Sequence, residues 1–155
     1  LDRLRAECTE LAAYLVTESV PMAGPAIAVG ARTTGLANVA LLRRPDGMDE
    51  REWFRRWHLG HTQVAIDTQT TFGYTQNAVV RALTSDAPQL GAIVEELFHM
   101  AAMTDVHAFY GSGGDDAELQ RRMTLMIESV MRFGAHTNLD SVPTKDRPRR
   151  LRTQE

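Results

Sequence analysis

Residues 51 to 62 read REWFRRWHLGHT, which sets His58 and His61 three apart, directly behind Trp53 and Trp57. Imidazole titrates near neutral pH, so a histidine on a cleft wall can move a proton in either direction. A helical pair at i and i+3 can also reach one metal ion from adjacent turns. Zinc needs at least one further protein ligand, and the candidates, His99, Glu95 and Glu96, lie elsewhere in the chain. Two more polar sets accompany the histidines: Tyr74, Gln76 and Asn77 in FGYTQN, and the adjacent Glu95 and Glu96 in VEELFH. A carboxyl buried in a cleft is pushed up toward neutral pH, which suits it to proton transfer.

The elements that must position these groups can be read from period and punctuation. DEREWFRRWHLGHTQVAID is the clearest helix. Asp49 and Glu52 form an aspartate version of a capping box, and Met48 and Trp53 occupy the staple positions. At 100° per residue Trp53, Trp57, His61, Val64 and Thr68 share one face, flanked by Phe54 and Ala65. His58 falls at the rim of that stripe. The two histidines therefore diverge, and no metal site is expected.

Strands are expected over about 35–44, in TTFGYTQNAVVRAL, in AIVEELFH and in AHTNLDSVPT. MAAMTDVHAFY reads as a short helix with Met103, Val106 and Tyr110 on one side. DDAELQRRMTLMIESVMRFG reads as a long one, closed by Gly134, with Leu119, Met123, Met126, Ile127 and Val130 as its stripe and Phe133 near the edge. The order β-α-β-β-α-β is the split pattern of ferredoxin-like α+β folds, a four-stranded antiparallel sheet with helices on one face. The other face needs a cover, and a second copy of the sheet is the obvious one.

Residues 1–24 read as a helix and a strand, and their ESVP echoes the DSVP at 140–143. Either the echo is coincidence, or 1–24 closes an upstream related half. The main domain is expected over 33–145, with 146–155 as a loose basic tail.

A chain of 155 residues fits one domain. A net charge of -3 gives no reason to expect nucleic acid or an anionic membrane as partner. Cys8 is the single cysteine, which excludes an intrachain disulfide; a buried small residue in a reducing, cytoplasmic setting is expected. No apolar run reaches membrane-span length. Phosphate-loop, dinucleotide and nucleophile-elbow patterns are absent.

Trp57-x-x-x-His61, FGYTQN, VEELFH and the terminal SVPT occur in an order that resembles the EthD family of dimeric α/β-barrel proteins. The likeness runs from about Gly35 to Thr144 and is strongest over RRPDGMDEREWFRRWHLGHTQVA. It implies two such sheets facing each other, as a homodimer or as tandem halves, around a cleft for a small apolar or aromatic molecule. It also implies His61 as the motif histidine and Glu95 as the strand glutamate. The chemistries implied include a lyase or oxygenase reaction, and no bound metal or cofactor is expected.

On this first reading His61 and Glu95 are catalytic, and Trp57, His58, Tyr74, Gln76 and Asn77 bind substrate. Alternation puts Tyr74 and Gln76 on one sheet face and Asn77 on the other, and it separates Glu95 from Glu96 likewise. Which face lines a cleft is left open. For His61 the alternative is a structural role between helix and sheet, with the cleft role slightly favoured. A second reading is a non-catalytic ligand-binding or assembly module of the same fold. A third is a haem-binding member with His58, His61 or His107 as axial ligand.

Overall fold

The computed structural model describes residues 1–144; the basic tail expected at 146–155 lies outside the described residues. The elements run α1 (Asp2–Arg5), β1 (Tyr14–Met22), β2 (Leu36–Leu42), α2 (Glu50–Arg55), a π-helical segment (Arg56–His61), α3 (Thr62–Thr68), β3 (Gly73–Ala82) and β4 (Ala92–Phe98). A 3₁₀ turn (Met100–Met103), α4 (Val106–Tyr110), α5 (Asp116–Phe133) and β5 (Leu139–Thr144) complete the chain.

The protein is α+β, built on a five-stranded antiparallel sheet in the order β1-β3-β4-β2-β5. The expected four strands are β2 to β5, and their order is compatible with the ferredoxin-like class. The sheet gains its fifth strand because β1 pairs along the outer edge of β3, with Ser19 opposite Gln76. ESVP and DSVP thus lie on the two opposite edge strands.

Alternation decides which residues meet the helices. Ala40 and Leu42 of β2, Ala92 and Val94 of β4 and Tyr74 of β3 form one core with Trp53, Trp57, Ala65, Met126 and Phe133. Their neighbours in sequence, Val39, Leu41, Thr75, Asn77, Ile93 and Glu95, face away from the helices and are half-buried. The chain after β1 covers part of that second face, bringing Gly24 against Leu97 and Gly73.

The helix pair is clasped at both ends by the same short pattern. Asp49 and Asp115 cap the helices, accepting from the backbone N–H of Glu52 and Glu118 respectively. Each glutamate then binds two arginines, Glu52 to Arg55 and Arg56, and Glu118 to Arg121 and Arg122. The glutamate of the expected capping box is therefore turned outward to arginine. The second arginine of each set crosses to the other helix. Arg56 Nη1 donates to the Arg132 carbonyl at 2.9 Å. Arg122 Nη1 donates to the Tyr110 carbonyl at 2.9 Å and, more distantly at 3.4 Å, to that of Asp67. These bonds give the carbonyls at helix ends a cationic donor. Arg56→Gln and Arg122→Gln are each expected to lower stability by about 1 kcal/mol, read by urea unfolding.

Gly134 ends α5 with φ +80°, and its backbone N–H returns to Val130 and Met131. A Cβ there would lie 2.2 Å from Pro45 Cγ. Left-handed backbone and a blocked approach both demand glycine. Gly134→Ala is expected to cost about 1–3 kcal/mol; an unchanged melting curve would contradict it.

Three packing expectations need correction. Met103 and Val106 are exposed, since Thr104 and Asp105 break the expected short helix in two. On α5, Ile127 is exposed whereas Phe133 and Ser129 are buried, so the stripe is rotated toward the partner helix. Cys8 is exposed.

Candidate functional site

RWHLGH forms the π-helical segment itself. An i→i+5 turn is wider than an α turn, and such turns are rare and often found at functional sites. Here Thr62 bonds the Trp57 carbonyl twice, through its backbone N–H and through Oγ1 at 3.2 Å. Gln76 Nε2 donates to Thr62 Oγ1 at 2.8 Å, and Ser19 donates to Gln76 Oε1 at 3.3 Å. A polar chain therefore runs from the edge strand β1, through β3, to the π segment.

Beside it lies a second polar row. Ser141 Oγ donates to Asn38 Oδ1 at 2.7 Å, and Asn38 Nδ2 donates to Glu96 Oε2 at 3.2 Å. Glu96 pairs in register with Tyr74 and faces the helices. Its carboxyl is buried, and desolvation raises it to about 7, against a smaller opposing effect of the Asn38 bond. The Tyr74 phenol is raised first by burial and then by Glu96; the Tyr110 phenol is raised by the same two causes.

Above this row sits an aromatic group with unmet hydrogen-bonding capacity. Trp57 packs on Trp53 at 5.4 Å and on His58 at 4.4 Å between ring centroids. Trp53 Nε1, Trp57 Nε1 and His58 Nε2 are buried without hydrogen-bond partners among the described residues. Trp57 Nε1 stands near the Tyr74 hydroxyl but outside hydrogen-bond geometry. Most buried polar atoms in proteins are satisfied, so three orphans within two turns of helix mark an unusual place. Burial lowers the His58 imidazole below its ordinary value.

His61 faces the other helix. Its Nδ1 lies 3.0 Å from Ser129 Oγ, and its ring packs on Phe133 at 4.7 Å. Burial, with a smaller contribution from Arg132, lowers it to about 4, so the imidazole is neutral at neutral pH.

The structure thus brings Trp57, His58, Tyr74 and Gln76 together between helices and sheet, with His61 at the helix–helix seam. Glu95 and Asn77 lie on the opposite sheet face, with Thr75 opposite Glu95 in register. Glu96, Asn38 and Tyr110 join the helix-side set. Asn38 had a usable signal, as the one polar residue in the strand LANVALL. His107 is held by Ser112 Oγ at 2.7 Å and Asp116 at 3.4 Å. Among the described residues no three His, Cys, Asp or Glu side chains gather closely enough to hold a metal ion. No helix among them is long and apolar enough to cross a membrane.

No family model matches the chain, and no curated protein matches it.

Proposed function

We propose that the chain is a small-molecule protein of the EthD type, binding or transforming an apolar or aromatic compound in the layer between helices and sheet. One observation carries this reading: a buried carboxyl raised to about 7, Glu96, pairs in register with Tyr74, which shares the core with Trp57 of the π-helical segment, where the Trp57 and His58 nitrogens lack partners among the described residues. A carboxyl poised near neutral pH can take a proton in one step and return it in the next. Tyr74 and Tyr110 supply phenols beside it, and the orphan nitrogens supply contacts for a polar group of the ligand. On this reading the reaction is of lyase or oxygenase type in a cytoplasmic protein. His61 stands at the helix seam beside this layer, held by Ser129 and Phe133.

Pairing with a second sheet belongs to the same proposal. The helix-free face offers Val39, Leu41 and Ile93 around Thr75, Asn77 and Glu95, an amphipathic surface on which a second sheet can pack. A homodimer and an upstream tandem half both supply that second sheet. The tandem form draws support from ESVP and DSVP on opposite edges, because β1 fills at β3 the place that a closing strand of another unit would take. The alternative, a module that only assembles, rests on this face alone.

The test is a titration with a panel of aromatic compounds, followed by tryptophan fluorescence, on wild type, Glu96→Gln and His61→Ala. Saturable quenching by a panel member, weakened at least about tenfold in Glu96→Gln, is the expected result. Absence of binding across the panel, in a protein that sediments as a paired unit, would favour the assembly reading.

A further inference from the structure

On the outer side of the π segment, a cavity of about 470 Å³ is lined by Arg55, Arg56, Gly60 and Arg132. We propose that it is a binding site for an oxyanion, a phosphate or carboxylate group carried by a small molecule. The site is distinct from the helix–sheet layer and does not depend on the reading given above.

Donor bookkeeping favours an anion. Arg55 gives Nε and Nη2 to Glu52, which leaves Nη1. Arg56 gives Nε to Glu52 and Nη1 to the Arg132 carbonyl, which leaves Nη2. Among the described residues Arg132 gives only Nε, to the Glu128 carbonyl at 3.3 Å, and makes no ion pair. Three arginines thus line the cavity, each with N–H donors that no hydrogen bond among the described residues uses, and the Glu52 carboxylate neutralises one charge of the three. Planar guanidinium forks match the paired oxygens of carboxylate and phosphate.

The backbone leaves room for such a group. Gly60 is exposed, and a Cβ built there would meet no atom within 4 Å. A helix surface bare of side chain at that point lets a ligand approach between the arginines. Two of the arginines are also held in place: Arg56 bridges to the other helix, and Glu52 anchors Arg55 and Arg56 together at 2.6–2.7 Å. Fixed donors bind an anion at lower entropic cost than free surface arginines do. An anion here would also offset the Arg132 charge that lowers His61, linking the site to the helix seam.

The experiment is an NMR titration of the whole chain with inorganic phosphate, acetate and chloride at matched ionic strength. Saturable shifts at the Gly60 amide and at the Arg55, Arg56 and Arg132 Nε–H signals are expected with phosphate, acetate or both, and not with chloride. Phosphate alone would identify a phosphate-ester ligand, and acetate at equal affinity a carboxylate. Arg132→Gln keeps its backbone carbonyl for Arg56 and should weaken binding at least about tenfold. Arg121→Gln, at the opposite end of α5 from Arg132, should leave it unchanged. Unsaturable shifts, equal response to chloride, or undiminished affinity in a folded Arg132→Gln protein would each overturn the assignment.

Discussion

Replacing Glu96 by glutamine is expected to raise stability at pH 8 while leaving it nearly unchanged at pH 4.5. The Glu96 carboxyl rises from an ordinary 4.5 to about 7 on folding. Between those values the folded chain keeps a proton that the unfolded chain has released. Stability therefore falls as pH rises through this window, in total by about 3 kcal/mol, the free energy equivalent of such a shift. His61 acts with the opposite sign. Its folded value of about 4 lies below the ordinary 6.5, so its contribution is present above 6.5 and lost as pH falls toward 4. The two slopes oppose each other between pH 4.5 and 6.5, and Glu96 acts alone above that. In Glu96→Gln only the histidine slope remains, so stability should climb to pH 6.5 and then level off. Urea denaturation at pH 4.5, 5.5, 6.5 and 8 measures both curves. Parallel profiles for the two proteins would show that Glu96 does not titrate in this window.

The same carboxylate shows where reading the sequence succeeds and where it stops. Period and punctuation locate every main strand and both long helices, because turn glycines, aspartate caps and alternating apolar positions are local signals. Asp49 does cap at Glu52, and Gly134 does end α5. The fifth strand was visible as a strand but not as a neighbour of β3, since edge pairing is decided by contacts between distant segments. Alternation also separates Glu95 from Glu96 without showing which lies under the helices. That choice is made by β2, whose Ala40 and Leu42 must face the tryptophans, carrying Asn38 to the same side and pairing it with Glu96. The π segment was hidden for a different reason. A uniform 100° step assumes an unbroken α-helix, whereas the wider π turn swings His61 onto Ser129 and Phe133 while His58 stays against Trp57. No residue type in RWHLGH announces that change.

Trp57 is where folding and the proposed chemistry compete most directly, and its two simplest replacements should differ sharply. The side chain is fully buried, packs on Trp53, Phe54 and His58, and sits over Tyr74 in the core. Trp57→Ala is expected to cost about 3–5 kcal/mol, the range for emptying a large aromatic site. That is a large share of the roughly 5–15 kcal/mol that holds a domain together. Trp57→Phe removes less volume, and it also removes an indole N–H that is buried without a partner among the described residues. An unsatisfied buried donor costs about 1–3 kcal/mol, so its loss offsets part of the packing deficit. Phenylalanine should therefore cost less than half of what alanine does. If the N–H is kept for a ligand rather than for the fold, Trp57→Phe should stay folded and yet lose affinity for whichever aromatic compound quenches wild type. Equal destabilisation by alanine and phenylalanine would mean that the indole nitrogen already has a structural partner, and the site would lose one of the groups that define it.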